Sequence, residues 1–147
     1  MGKLEAIWVK RAKQGPMDAN DVVELVANHG IRGNANVGGR RQVTIIEKEI
    51  WERLMEKMSG DLDPWRRRAN LMVSNFPLIN SRGRTLRIGN CRILIKGETK
   101  PCNQMDEALM GLREAMFPDW QGGAFGQVLD DGEIRVGDEV SWEELSE

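Results

Sequence analysis

The chain has no tyrosine, a single histidine and only two cysteines, Cys91 and Cys102. One imidazole and two thiols cannot furnish a zinc-type ligand set, and two cysteines in 147 residues are too few for a disulfide scaffold. Reduced thiols and a cytoplasmic setting are therefore expected. No stretch approaches the roughly 20 apolar residues that span a bilayer. The opening MGKLEAIWVKRAKQG also lacks a long apolar run, so a soluble, unsecreted protein without a membrane partner is expected. Positive charge is not in excess either. Lys and Arg number 21 against 23 Asp and Glu, a net charge of -2 that argues against general nucleic-acid binding. Aromatic residues make up 5% of the chain and do not interleave with the basic residues as a base-stacking platform would. Gly38-Gly39 and Gly122-Gly123 lack the spacing of a dinucleotide or P-loop fingerprint and read first as turns.

What the chain does have is a 40% hydrophobic content, enough for one domain over residues 1–147. Leu4 to Lys10 reads as a first strand, broken at Gln14-Gly15-Pro16. PMDANDVVELVANHG reads as a helix, with Asp18 as its cap, Met17 as a staple and Gly30 past its end, and His29 then sits favourably at the helix C-terminus. RRQVTII follows as a buried strand, and Ile50, Leu54 and Met58 mark a second helix ending at Gly60. NLMVSN, TLRIG and CRILIKG read as strands, the last two turned at Gly89-Asn90, with Cys91, Ile93 and Ile95 on one face. A third helix is expected from about Gln104 to Met116, carrying Met105, Leu109, Leu112 and Met116 on one stripe. Short strands turned at Asp131-Gly132 and Gly137-Asp138 complete the chain. The expectation is a mainly β protein with about three helices, built on a barrel-like core.

Two features carry chemistry. Pro101 ends a strand and fixes the backbone just ahead of Cys102, and Asn103 is placed to cap the helix that follows. A helix N-terminus favours the thiolate, whereas Asp106 and Glu107 oppose it. Position alone thus leaves Cys102 either a reactive thiolate or a small buried hydrophobe, while Cys91, inside a strand, reads as core. Arginines cluster at Arg40-Arg41, at Arg66-Arg67-Arg68, and at Arg82, Arg84, Arg87 and Arg92. Guanidinium groups at the mouths of neighbouring strands match phosphate oxygens in pairs, although each arginine taken singly reads as a solvated charge.

The ordered series GIRGN, RRQVTIIEKEIW, RRRANLMV, GRTLRIGNCRILIKGETKPC and GGAFGQVLDDGEIRVGD resembles the MOSC domain, the module named for the C-terminal part of molybdenum cofactor sulfurase. The resemblance is strongest over residues 30–140, especially in R-x-N-L at Arg68 to Leu71, G-x-x-L-x-I-G at Gly83 to Gly89, and Pro101-Cys102. It implies a closed β-barrel similar to the barrel domain of pyruvate kinase. It also implies a pocket for the molybdenum cofactor (molybdopterin), with Cys102 as metal ligand and Arg68 and Asn70 against the cofactor. Arg41 and Thr44 are further candidates for that pocket. Two activities follow from the resemblance: sulfur carriage as a Cys102 persulfide, or reduction of N-hydroxylated compounds at a Cys102-ligated molybdenum. The partner is then a sulfur donor or an electron-transfer protein. Asn34 and Asn36 stand where many relatives have an acidic residue and a histidine. No pyridoxal-phosphate desulfurase domain is expected, so pyridoxal phosphate is not an expected cofactor. The alternatives are a metal-free thiol redox or sensing protein using Cys102, or a non-catalytic anion-binding module using the arginines.

Overall fold

The computed structural model describes residues 2–143. Apolar residues alternate with polar ones along most strands, and each strand turns its apolar side towards one shared interior. Seven strands enclose it, with neighbours in the order β11 (Glu139–Trp142), β7 (Thr85–Ile88), β8 (Cys91–Glu98), β9 (Ala124–Val128), β5 (Val43–Glu47), β6 (Leu71–Ser74) and β1 (Gly2–Lys10). β11 also pairs with β1, and this contact closes the barrel. The β5–β6 pairing is parallel, while the other pairings around the ring are antiparallel. β2 (Met17–Asn20) adds outside β1. β3 (Val22–Val26), β4 (Gly30–Ile31) and β10 (Gly132–Arg135) make a second, three-stranded sheet.

Leu4 and Ile7 both enter the barrel core although they stand three positions apart, an odd spacing that would put them on opposite faces of a regular strand. A register shift between Leu4 and Ala6 against β6 resets the alternation, which returns Ile7 and Val9 to the inside. Cys91, Ile93 and Ile95 line the same core from β8, as expected. Three helices cover one flank: α1 (Lys48–Met58), α2 (Asn103–Ala108) and α3 (Leu112–Met116). Trp51, Leu54, Met55, Met105, Leu112 and Met116 form a separate apolar cluster between them.

Several local expectations are corrected. Residues 17–31 form three strands rather than a helix. Val23 and Leu25 are buried while Val22 and Glu24 are exposed, a period of two that β10 and β4 satisfy by pairing. Asp18 caps no helix and instead pairs with Arg11, and His29 lies in a turn. The third helix is broken in two. Leu109 is extended and Gly111 has φ 89°, a left-handed conformation that glycine adopts without steric cost. The apolar stripe survives the break, since Met105, Leu112 and Met116 are buried and Leu109 packs on them. Asn103 is the first residue of α2, not its cap; Cys102 takes the cap position and makes no capping bond through its side chain. Finally, Asp131-Gly132 does not join a paired hairpin, because β10 crosses to β3 instead of returning along β9.

Candidate functional site

The parallel pairing of β5 with β6 is what assembles the site. Ile45 lies opposite Leu71, so both strands begin at the same rim and the segments before them, Arg41 to Thr44 and Arg67 to Asn70, lie side by side. The first two of the three arginine clusters seen in sequence meet for this reason. Across β9 the same level is reached by the end of β8, because Thr44 opposes Phe125 and Phe125 opposes Gly97. The chain then runs through Thr99 and buried Pro101 to an exposed Cys102.

These segments surround a cavity of about 410 Å³, a size within the range of small-molecule sites. Cys102, Arg68, Asn70, Arg41 and Thr44, the five residues expected at a cofactor pocket, all line it. None of the lining residues is acidic, whereas Lys10, Lys13, Arg41, Arg67, Arg68 and Lys100 are basic. Only Lys100 has a carboxylate partner among the described residues, Glu98 at 3.3 Å. An acidic protein has gathered unpaired positive charge around one cavity. The arginines of the hairpin region stay apart from it. Arg87 and Arg92 bond to Glu143 and Asp130, and Arg84 stacks on Trp142.

Arg67 is the residue that sequence reasoning missed. It is 8% exposed, donating from Nε to the Gly122 carbonyl at 3.1 Å and from Nη2 to the Thr99 carbonyl at 3.1 Å. Burial lowers its pKa to about 10; the neighbouring charge of Cys102 acts in the opposite sense and that of Arg41 in the same sense. Gly122 is required by this contact, since a Cβ there would lie 2.1 Å from the Thr99 carbonyl oxygen. In sequence Arg67 is the middle of three arginines, and nothing local distinguishes the buried one. Lys10 was equally hidden, as the last residue of a strand. Burial and the charges of Arg68 and Lys13 hold its pKa below the ordinary lysine value.

Asn70 is spent internally. Its Oδ1 accepts from the Thr44 amide at 3.1 Å and the Thr44 hydroxyl at 3.2 Å, and its Nδ2 donates to the Trp8 carbonyl and to Asn34 Oδ1, each at 3.2 Å. Asn34 in turn accepts from the Lys10 amide and donates to the Asn36 carbonyl. Asn70 thus clamps β1, β5 and the loop containing Asn34 around the pocket. The hydroxyl of Thr99, by contrast, is buried with no hydrogen-bond partner among the described residues. Arg41 is exposed and stacks on Phe125, its guanidinium 4.9 Å from the ring centre.

The MOSC domain family model matches residues 29–141. The chain belongs to the MOSC domain family. Among solved structures, the YuaD protein from Bacillus subtilis has the same fold, with a TM-score of 0.79 at 22% identity, covering 95% of this chain and 94% of that one. YiiM from Geobacillus stearothermophilus gives a TM-score of 0.77 at 15% identity, over 98% of this chain and 76% of that one. YiiM from Escherichia coli gives 0.75 at 14% identity, over 98% and 71%. At such identities these neighbours establish the barrel and not its activity. A comparison with curated proteins gives no match. In this MOSC barrel the expected closed ring is present, and the pocket opens where its two parallel strands begin.

Proposed function

We propose that this MOSC protein binds the molybdenum cofactor, with Cys102 as its one sulfur ligand from the protein. The observation that carries this reading is the placement of Cys102 on a cavity whose charged lining is wholly basic and includes a buried arginine without a carboxylate partner among the described residues. The residues present fit such a group. Thiolate is a soft donor suited to that metal, and guanidinium groups suit a cofactor phosphate. No group of three or more His, Cys, Asp and Glu stands together among the described residues, so a metal here draws its remaining ligands from the organic part of its cofactor. When bound, that cofactor supplies oxidation–reduction and sulfur or oxygen transfer.

The residues of the chain have separate duties in this reading. Arg68 and Lys10 hold the phosphate. Thr44 and Asn70 fix the rim rather than the ligand, because their polar atoms are already joined to each other. Arg67 holds Thr99 and Gly122 in place and sets a positive charge beside Cys102. The thiol serves as metal ligand in a reductase of N-hydroxylated compounds, with an electron-transfer protein as partner. Its exposure equally suits a persulfide carrier loaded by a sulfur donor, and such a carrier works in the cytoplasm.

Metal and pterin content after expression with the cofactor available tests the proposal. Arg68→Ala is expected to weaken cofactor retention by about 1.5–3 kcal/mol, the scale of a hydrogen bond to a charged group. Cys102→Ser is expected to lose metal or sulfane sulfur while keeping its melting temperature, because the side chain is exposed. Arg82→Ala, off the cavity, is the control. Retention unchanged in both Arg68→Ala and Cys102→Ser overturns the assignment.

A further inference from the structure

Arg67 and Arg68 are adjacent in sequence, yet they serve different walls of the cavity. Arg67 is tied to Thr99 and Gly122, on the side that carries Cys102. Arg68 has φ 64°, uncommon for a residue with a side chain, and its Nη2 donates to the Gly15 carbonyl at 2.6 Å in the loop between β1 and β2. That loop also contributes Lys13, and β1 contributes Lys10 just before it.

Lys10, Lys13, Arg41, Arg67 and Arg68 have no ion-pair partner among the described residues. A phosphate monoester brings about 1.5 to 2 negative charges at neutral pH and leaves most of this positive charge unanswered. Like charges confined together repel, so the arrangement is suited to more negative charge than one such group supplies. A second observation lies on the Arg67 side. Thr99, only 7% exposed, is among the residues that line the cavity, and its buried hydroxyl has no hydrogen-bond partner among the described residues.

We propose that the cavity holds two anionic groups at once, one against Lys10, Lys13 and Arg68, the other against Arg41 and Arg67 beside Cys102. The inference rests on the cofactor reading for the identity of the first group, the cofactor phosphate. The second is then an anionic reactant, a small oxyanion brought to Cys102 by two guanidinium groups.

Inorganic phosphate and tungstate are the probes, used on the full chain. Calorimetric titration with phosphate is expected to show two equivalents, and crystals soaked in tungstate are expected to show one anomalous peak near Arg68 and Gly15 and another near Arg67 and Cys102. Lys13→Gln and Arg41→Gln alter exposed side chains, so the fold is retained. Each is expected to weaken one phosphate by about tenfold and leave the other unchanged. One equivalent or none, or both variants weakening the same site, overturns the proposal. Metal–pterin retention is measured separately on the same proteins. Retention with a single phosphate site rejects the two-anion inference alone, whereas two phosphate sites without retention reject the cofactor assignment and leave two-anion binding standing.

Discussion

The two cysteines show how differently one residue type behaves in one barrel. Cys91 is 1% exposed in the core, where burial, and then the nearby Asp130, Asp138 and Asp131, push its thiol pKa up. Cys102 is exposed on the cavity beside a guanidinium. Iodoacetamide is expected to modify Cys102 far faster than Cys91, read residue by residue by mass spectrometry. Comparable rates would remove the distinction on which the thiol chemistry rests. Cys91→Ser is expected to cost about 1–3 kcal/mol, because a hydroxyl would enter an apolar wall, while leaving metal or sulfur content intact. A raised folded-state pKa also fixes a sign. The stabilisation tied to the neutral Cys91 thiol is fully present below its unfolded value near 9.0 and is lost as pH rises from there through the folded value. Urea melts across that window should therefore fall more steeply in the native protein than in Cys91→Ala.

Among the elements, β11 has the largest consequence for its length. Its four residues pair with β7 on one side and β1 on the other, and Trp142 packs on Phe76 with ring centres 4.5 Å apart. The turn signal and alternation of Val136 to Trp142 predict a stretch that closes or caps the barrel, and the strand does close it, as a stave of the ring itself. Deletion from Gly137 onward would leave edges of β1 and β7 unpaired, remove Val140 from the core and expose its neighbours Leu4 and Ile88. Loss of cooperative thermal unfolding is the expected result. A truncated chain that melts at the temperature of the full protein would show that β11 is a dispensable terminus. Helical elements were the least legible. DVVELVANHG offers apolar residues at both helical and strand spacing, and the choice is settled by pairing with β4 and with β10, the latter more than 100 residues away in sequence. The split between α2 and α3 was signalled by Gly111 alone, and an isolated glycine is tolerated in many helices.

At the scale of the whole molecule, net charge conceals its own distribution. The chain is acidic overall, yet the charged side chains lining its main cavity are all basic. Phosphate binding is accordingly expected to weaken as sodium chloride is raised from about 0.05 to 0.5 M, because the Debye length falls from about 14 to 4 Å over that range and screens the outer cations Lys13 and Arg41 first. The buried Arg67 should retain its contribution longest, so Arg67→Lys and Arg41→Gln are expected to differ in salt slope in the same titration. Equal slopes would mean that burial gives Arg67 no separate electrostatic weight.

By itself the sequence determined the class of the fold and most of its strands. Alternation over two residues and β-branched runs are local signals, and the motif order from Gly30 to Val140 carried the family resemblance before any coordinate was known. It also presented Cys102 behind Pro101, since proline restricts the backbone wherever the chain goes. Tertiary structure alone decided which arginine is buried, because Arg66, Arg67 and Arg68 are chemically identical and differ only in what the barrel places against them. It decided that Asn70 would be saturated by Thr44, Trp8 and Asn34, three residues from distant parts of the chain. And it decided that Arg41 shares one cavity with Arg67 and Arg68, a result of β5 and β6 running parallel, which no local pattern encodes because parallel pairing is fixed only when the intervening helix has packed.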